Sequence, residues 1–247
     1  MLVESREENK VFWVVLNRPE KANAIDSQMW RLMAERFDAA SASSASRIVA
    51  LTGKGKNFSA GADISDLARA STHSAAFEIL LGSIRPVFDR ILRCPKPVVA
   101  ALNGPAVGGG AELVLACDMA IAKPDAYISL AQGRYGLGPA MGLTFGVPVL
   151  GRKRLADMAL TGRRVSAQEA ERWGLINSIA EGSLEAEVEK LASQISETPP
   201  TLIRAMKEVL LRQMSLAGYE SAFSYFAMFS QSQEAKAGAE KFLSKRG

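Results

Sequence analysis

One acidic residue of this chain follows a run of small residues, a position from which it could transfer protons. The run NGPAVGGGAE spans residues 103–112, and Glu112 comes directly after three glycines and an alanine. A carboxylate one helical turn beyond such a glycine turn can reach a ligand held by the turn and move protons on it. A carboxylate is also stabilised near a helix N-terminus for structural reasons, so position alone leaves both roles of Glu112 open.

A second glycine turn, FSAGADI at residues 58–64, precedes the first in the chain. In both turns small residues follow an apolar segment, so backbone N–H groups can approach a ligand without obstruction by side chains. Two such turns from neighbouring strands can direct one N–H each at a single oxygen, which is the geometry of an oxyanion hole. Each turn taken alone is equally typical of close packing between a strand and a helix.

Other kinds of catalytic machinery have little support in the sequence. The single histidine, His73, lies in the polar stretch ASTHS, which predicts a surface position and argues against a Ser-His-Asp triad. Cys94 and Cys117 lie in apolar surroundings without a Cys-x-x-Cys pattern, so we expect neither a disulfide nor a metal site. The glycine patterns of P-loop and Rossmann proteins are absent from the sequence.

Charge and hydropathy narrow the classes of partner. The 247 residues include 30 basic and 26 acidic side chains, and the net charge of +4 suits a phosphorylated small ligand but is too dispersed for nucleic acid. No apolar run reaches the roughly 18 residues of a membrane span. The acidic start at residues 1–8 is unlike a signal peptide, so we expect no membrane contact and a cytoplasmic location.

The elements that must position the two turns alternate along the first two thirds of the chain. Apolar runs at residues 11–16, 47–52 and 97–102 predict strands, and a 3–4 spacing of apolar residues predicts a helix over 27–42. Continuous apolar strands, each followed by a turn and a helix, indicate an α/β fold with a sheet covered on both faces.

The last third of the chain is predicted to be helical. Ser166 and Glu169 fit a capping box, and apolar residues between 202 and 210 mark one face of a later helix. Four aromatic residues at helical spacing predict a helix packed on the core or on a partner subunit: Tyr219, Phe223, Phe226 and Phe229. We place a boundary near residue 195, between a core at 1–195 and a helical region at 196–247.

The pair of glycine turns, with Glu112 after the second and Cys117-Asp118 closing its helix, resembles the crotonase superfamily, whose archetype is enoyl-CoA hydratase/isomerase. Further blocks in the same order extend the resemblance over nearly the whole chain: KANA at 21–24, LTGR at 160–163, SAQEA at 166–170, GLIN at 174–177 and FLSKR at 242–246. So many blocks in one order make the resemblance specific.

This resemblance implies a crotonase-like spiral of repeated ββα units, C-terminal helices that form a homotrimer or a dimer of trimers, and an acyl-CoA thioester as substrate. CoA is part of that substrate, so no separate cofactor is expected. By motif position, the backbone N–H groups of Ala62 and Gly109 are the oxyanion-hole donors. The resemblance assigns CoA binding to Lys21, Ala22, Ala24, Ala60, Asp63, Ile64 and Lys245, the last of them at a phosphate.

Glu112 corresponds in this resemblance to the family's first catalytic glutamate. Aligned through AYISLA at 126–131, the chain has Gln132 where the hydratase pattern has a second glutamate. A glutamine can hold a water or a carbonyl by hydrogen bonds but cannot exchange a proton at neutral pH, so hydration by two carboxylates is in question. Arg134 stands where the family usually has an apolar residue. It either recognises a substrate carboxylate or points to solvent or a subunit contact, and we favour the latter.

We therefore predict an acyl-CoA-processing enzyme, a lyase of the enoyl-CoA hydratase/isomerase type, with Glu112 and Gln132 as catalytic residues. Within the same fold the alternatives are a double-bond isomerase, an acyl-CoA decarboxylase and a thioester hydrolase. A non-catalytic family member that binds acyl-CoA or RNA is the alternative from another class. Residues 65–93 would form much of the acyl pocket, and their composition leaves the acyl chain open.

Overall fold

The computed structural model describes residues 1–69, 78–212, 216–230 and 232–244. Strand β1 (Val3–Glu8) and strand β2 (Val11–Leu16) form an antiparallel hairpin at one edge of the main sheet. Asn9 and Lys10 turn the hairpin with φ angles of 50° and 65°. This left-handed conformation at both central residues matches the twist of the two strands.

The remaining strands extend this sheet and form a second, smaller one. They are β3 (Ile48–Gly53), β4 (Val98–Leu102), β5 (Ala106–Val107), β6 (Met119–Ala122), β7 (Tyr127–Ser129), β8 (Val165–Ser166) and β9 (Ser178–Ile179). The main sheet has the order β1-β2-β3-β4-β6-β9, parallel from β2 onward, and the small sheet has the order β5-β7-β8. All three predicted strands are present within one residue of the expected bounds.

The helices cover both faces of the main sheet. They are α1 (Ser27–Ala42), α2 (Ile64–Arg69), α3 (Arg85–Arg93), α4 (Gly109–Ala116), α5 (Ala140–Thr161), α6 (Ala167–Trp173), α7 (Leu184–Ile195), α8 (Pro200–Arg212), α9 (Leu216–Ser230) and α10 (Gln233–Ser244). Helix α1 has the predicted bounds, and the Asp26 carboxylate caps it by accepting from the Met29 N–H. Within the described ranges, none of these helices combines the length and apolar composition needed to cross a bilayer.

Alternate residues of the strands pack into two separate apolar cores. Val14 and Leu51 face a core that includes Phe37 of α1, whereas Trp13 faces a smaller core closed by Val188 of α7. Strands β2 and β4 are buried along their whole length, which explains why they read as continuous apolar runs in the sequence. The structure thus has the mixed α/β architecture that the sequence predicts.

The C-terminal helices pack on this core through part of their surface. Tyr219 and Phe223 of α9 are buried in the larger core, so these two residues of the predicted aromatic stripe pack within the chain. The side chains of Phe226 and Phe229 lie outside the described residues. Lys207 of α8 is buried and donates from Nζ to Asp118 Oδ2 at 2.6 Å and to the carbonyl oxygen of Ile91 at 2.9 Å.

Helix α8 turns its predicted apolar face away from the chain. Leu202, Met206, Val209 and Leu210 are 51%, 47%, 58% and 69% exposed, respectively. Exposed apolar side chains grouped on one helix face are typical of a contact surface. The inward face is instead formed by Ile203 and Lys207.

The capping box predicted at helix α6 is only half formed. The Ser166 hydroxyl accepts from the Glu169 N–H at 3.2 Å, as predicted. The Glu169 carboxylate does not bond back to Ser166 but pairs with Arg163 at 2.8 Å. A charge-assisted, two-pronged bond to a guanidinium is stronger than a bond to one neutral N–H, which accounts for the difference.

Candidate active site

The two glycine turns lie against each other at the ends of neighbouring strands. Ser59 pairs with Ala106 in a parallel bridge, and the Val107 N–H donates to the Ser59 carbonyl at 2.8 Å. Gly61 has a φ of +87°, and a Cβ on it would lie 2.5 Å from the Gly109 nitrogen. Only glycine therefore allows the two turns to approach so closely.

This approach brings the backbone N–H groups of Ala62 and Gly109 together. Ile25 donates to the Gly61 carbonyl and accepts from the Asp63 N–H, so the intervening Ala62 N–H points to the other side of that pairing. Gly109 is the first residue of helix α4, where an N–H has no acceptor within the helix. A Cβ on Gly109 would lie 3.2 Å from the Ala62 nitrogen. Gly109 and the Ala62 nitrogen therefore lie next to each other where the two turns meet.

Both N–H groups border a cavity of about 280 Å³. Much of its wall is apolar and is formed by Trp30, Leu80, Ile84, Phe88, Leu137 and Met141. The polar side chains at its wall are Asn57, Ser59, Asp63, Glu112, Tyr127, Gln132 and Tyr135. A concave apolar chamber with few, grouped polar side chains is typical of a small-molecule site.

Glu112 is the buried carboxylate of this cavity. The residue is 5% exposed, and its Oε1 accepts from the Gly142 N–H at 2.8 Å. Burial raises the pKa of Glu112 to about 7, and the hydrogen bond from Gly142 offsets only part of that effect. A carboxyl group with this pKa both takes up and releases a proton near neutral pH, as a general acid or base must.

Gln132 lies beside Glu112 in a short 3-10 helix, Ala131–Tyr135. The residue is 9% exposed, and neither Nε2 nor Oε1 has a partner in hydrogen-bonding geometry among the described residues. The Gln132 side chain nevertheless lies close enough to Glu112 for a weak polar contact that lowers the pKa of that carboxyl, outside ideal hydrogen-bonding geometry. A buried polar group without a partner costs about 1–3 kcal/mol, so this amide lowers the stability of the fold.

An ion pair between Arg18 and Asp63, which the sequence did not predict, connects the segment after strand β2 to the segment that contains Ala62. Arg18 Nη1 lies 2.7 Å from Asp63 Oδ2 and donates to the Ala24 carbonyl at 3.1 Å. Burial raises the pKa of Asp63, but hydrogen bonds from Ser65 and Arg18 outweigh it, so the pKa lies below its usual value. Asp63 therefore stays a carboxylate at neutral pH.

The Asn23 side chain joins the segment after strand β2 to the loop that leads into the first glycine turn. It is buried with a φ of 53°, and its Nδ2 donates to the carbonyl oxygens of Lys54 and Asn57 at 3.0 Å and 2.7 Å. Its Oδ1 accepts from the Arg18 N–H at 2.9 Å. The KANA motif at residues 21–24 identified Asn23 as part of a functional segment, but no local pattern predicted its hydrogen bonds to Lys54 and Asn57.

The residues assigned to CoA binding fall into three groups. Ala22, Ala24, Ala60, Asp63 and Ile64 line the cavity together with Ala62 and Gly109. Lys21 is exposed and is not part of that lining. Lys245 lies outside the described residues, as does His73, which was predicted at the surface and was not assigned to CoA.

Arg134 lies outside the lining of the cavity. Arg134 is at the surface, where it donates to the Thr161 carbonyl at 3.3 Å, which agrees with the prediction of a solvent or subunit position. Within the described ranges, no three His, Cys, Asp or Glu side chains form a group able to hold a metal ion.

Comparison with known proteins identifies relatives of the chain. The family model for enoyl-CoA hydratase/isomerase matches residues 6–247. A putative enoyl-CoA hydratase of Thermus thermophilus is 36% identical over 246 residues, which cover 97% of each chain. Human mitochondrial delta(3,5)-delta(2,4)-dienoyl-CoA isomerase is 33% identical, over 90% of this chain and 71% of its own. The crystal structure of an enoyl-CoA hydratase/isomerase from Mycobacterium paratuberculosis has a TM-score of 0.88 at 28% identity, covering 97% and 98% of the two chains.

The fold and the cavity define an acyl-CoA-processing enzyme of the crotonase type. The chain belongs to the enoyl-CoA hydratase/isomerase family. The predicted fold class and general activity are thereby confirmed.

Proposed function

We propose that the enzyme isomerises the double bond of an enoyl-CoA thioester by moving one proton with one carboxylate. The observation that carries this proposal is the buried Glu112, whose pKa of about 7 lets it act as base and then as acid. The other carboxylate at the cavity, Asp63, is paired with Arg18 and keeps its charge. Gln132 is neutral and exchanges no proton.

The reaction begins with the thioester carbonyl oxygen between the N–H groups of Ala62 and Gly109. The Glu112 carboxylate takes the proton from Cα of a 3-enoyl thioester, and the electrons of that C–H bond shift onto the carbonyl oxygen to give a dienolate. The two N–H groups stabilise this negative charge, each by about 3 kcal/mol in comparable sites. Glu112 then returns the same proton to Cγ, and the product is the conjugated 2-enoyl thioester.

CoA is held as part of the substrate in this proposal, with no further cofactor. The turn at Ala22 and Ala24 and the segment at Ala60, Asp63 and Ile64 border the cavity that accepts the thioester. Lys21 is exposed next to this turn and is one of the two lysines that the resemblance assigns to CoA binding. We assign it and Lys245 to the nucleotide end of CoA, and we keep the cytoplasm as the proposed location.

We also propose a homotrimer or a dimer of trimers. The support comes from helix α8, where Leu202, Met206, Val209 and Leu210 form an apolar face that stays exposed among the described residues. The aromatic stripe in the sequence also suggested an assembly of subunits, but its residues Tyr219 and Phe223 are buried in the core of the chain itself.

The proposed reaction is tested with but-3-enoyl-CoA, whose conversion to crotonyl-CoA produces the ultraviolet absorbance of a conjugated thioester. We expect turnover by the wild type and a loss of about 10²–10⁴ in rate for Glu112→Gln, as for other removed acid–base groups. Butyryl-CoA should bind both proteins equally in a calorimetric titration, because the backbone contacts remain. Glu208→Gln, at an exposed ion pair of α8, serves as the control.

If the enzyme forms a different product, that product identifies which alternative reaction it catalyses. Appearance of 3-hydroxybutyryl-CoA from crotonyl-CoA would indicate hydration, and release of free CoA would indicate thioester hydrolysis. Loss of carbon dioxide from a carboxylated acyl-CoA would indicate a decarboxylase. Binding of acyl-CoA or RNA without any turnover would indicate a non-catalytic member of the family.

A further inference from the structure

The Gln132 carboxamide is a polar group for which the proposed proton transfer has no use. It exchanges no proton, and it is not among the backbone groups that receive the thioester oxygen. It is nevertheless 91% buried at the wall of the reaction cavity, without a protein partner in hydrogen-bonding geometry for either polar atom among the described residues. Two unpaired polar atoms on one buried side chain indicate a ligand that pairs with both.

The amide lies close to the reacting atoms. A Cβ on Gly108 would be 3.7 Å from the Gln132 carboxamide carbon, and Gly108 immediately precedes the Gly109 donor. The amide also lies close to Glu112, whose pKa is lowered by contact with the Gln132 side chain. A ligand atom that reaches Gln132 therefore belongs to the first few carbons of the acyl chain and not to the nucleotide end of CoA.

The chemistry of the carboxamide selects the kind of ligand atom. Nε2 offers hydrogens and Oε1 offers lone pairs, so the matching partner is one that both accepts and donates. A hydroxyl group does both through a single oxygen, whereas a hydrocarbon chain does neither. Leu137 and Met141 of the same cavity are apolar and offer such a hydroxyl no hydrogen bond through their side chains, whereas Tyr127 and Tyr135 also border the cavity.

We propose that Gln132 binds a hydroxyl group near the reacting carbons, so that the substrate is a hydroxylated acyl-CoA thioester. This inference rests on the proposed function for the placement of the thioester but not for the direction of proton transfer. A site built to hydrogen-bond a hydroxyl discriminates strongly against an analogue that lacks it, because the polar groups of the site are then left unpaired. Gln132 is thus a specificity-determining residue of the cavity.

The test compares saturated thioesters, which bind without reacting. Butyryl-CoA, 3-hydroxybutyryl-CoA and 4-hydroxybutyryl-CoA are titrated calorimetrically into the wild type and into Gln132→Met, which keeps the length of the side chain and removes its polar atoms. We expect one hydroxylated thioester to bind the wild type roughly 10- to 100-fold more tightly than butyryl-CoA, as two added hydrogen bonds provide. This ratio should fall to about 1 in Gln132→Met.

Two controls separate recognition from damage to the cavity. Leu137→Met changes another wall residue without adding or removing a polar atom, so it should preserve the hydroxyl-to-hydrocarbon ratio even if both affinities change. The melting temperature of unliganded Gln132→Met should be no lower than that of the wild type, because the variant buries no unpaired amide. A variant that melts at a lower temperature is replaced by Gln132→Leu in the same titrations.

Each remaining outcome overturns the inference. Equal binding of butyryl-CoA and both hydroxylated thioesters to the wild type would show that no substrate hydroxyl is recognised. Equal binding combined with hydration of crotonyl-CoA that Gln132→Met abolishes would assign the amide to a reacting water instead. If no CoA thioester binds at all, the proposed function itself fails, whereas thioester binding without the preference refutes only the role of Gln132.

Discussion

Glu112 combines two properties that oppose each other in a folded protein. Its position in the cavity wall suits proton transfer, but the same burial makes its charged form costly. The single hydrogen bond from the Gly142 N–H does not compensate for the water that the carboxylate has lost. At the residue scale, activity and stability therefore place opposite demands on this side chain.

The first prediction is that Glu112→Gln stabilises the protein, and does so more at high pH. The pKa of Glu112 is about 7 in the folded protein and close to its ordinary 4.5 in the unfolded chain. Between these values the folded state holds a proton that the unfolded state has released, so wild-type stability falls as pH rises from 4.5 through 7, by about 3 kcal/mol. Glutamine keeps the acceptor for Gly142 and has no such loss.

Urea unfolding of both proteins at pH 5 and pH 8 measures this effect. The stability advantage of Glu112→Gln should be small at pH 5 and approach about 3 kcal/mol at pH 8. Glu208→Gln, which replaces an exposed carboxylate, should follow the wild type at both values. An equal advantage of Glu112→Gln at pH 5 and pH 8 would contradict the raised pKa of Glu112.

At the scale of elements, the site depends on how the segment containing Ala62 is held. Ile25 fixes its backbone from one side, and Gly61 lets it approach helix α4 from the other. The Arg18–Asp63 ion pair joins the residue next to Ala62 to the carbonyl of Ala24. Arg18 contacts this segment without lining the cavity, and we predict that it positions the Ala62 N–H.

The second prediction is that Arg18→Met lowers kcat about 10- to 100-fold, with little change in KM. Misplacement of a donor by about 1 Å can cost about 10²-fold in rate, whereas ground-state binding of CoA uses other contacts. Arg18→Lys should recover part of the rate, because it keeps the charge beside Asp63 while losing the planar geometry of the guanidinium.

A spectroscopic measurement distinguishes positioning from general damage. Bound acetoacetyl-CoA ionises to its enolate more readily when an oxyanion hole stabilises the charge, so its ultraviolet spectrum reports on the two N–H donors. Arg18→Met should weaken this enolate signal, while Arg204→Met, at an exposed ion pair of α8, should leave it unchanged. A normal enolate signal together with a reduced kcat in Arg18→Met would refute the positioning role.

At the scale of the whole molecule, helix α8 has two distinct faces. Lys207 fixes the inner face by three hydrogen bonds, to Asp118 and to the carbonyl oxygens of Ile91 and Lys96. The outer face carries the exposed apolar residues between Leu202 and Leu210. A helix anchored so firmly presents its apolar face in a fixed orientation, which favours association with another subunit.

The third prediction is that Leu210→Glu, alone or with Met206→Glu, shifts the protein from an oligomer to a monomer. A charge placed in an apolar contact is desolvated without a partner, which opposes association. Light scattering at micromolar concentration measures the mass, with Lys190→Glu on the exposed face of α7 as the control. A wild-type protein that is already monomeric under these conditions would remove both this prediction and the proposed trimer.

The sequence by itself determined the local elements, the family and the chemical groups of the site. Strand Val11–Leu16 follows from a continuous apolar run and helix Ser27–Ala42 from the 3–4 spacing of apolar residues, and both patterns depend only on near neighbours in the chain. The two glycine turns and Glu112 were also identifiable from the sequence, because they too form local patterns. Their chemistry depends on residue type and on spacing over a few positions.

Only the tertiary structure decided how these groups are held and tuned. Arg18 and Asp63 are 45 positions apart, so no local pattern signals their contact. The pKa of Glu112 and the unpaired amide of Gln132 both result from burial by segments distant in the chain. The apolar face of α8 shows the same limit, because periodicity predicts that a face is apolar but not whether the chain covers it. Burial and long-range pairing are properties of packing, and packing is set by all elements together.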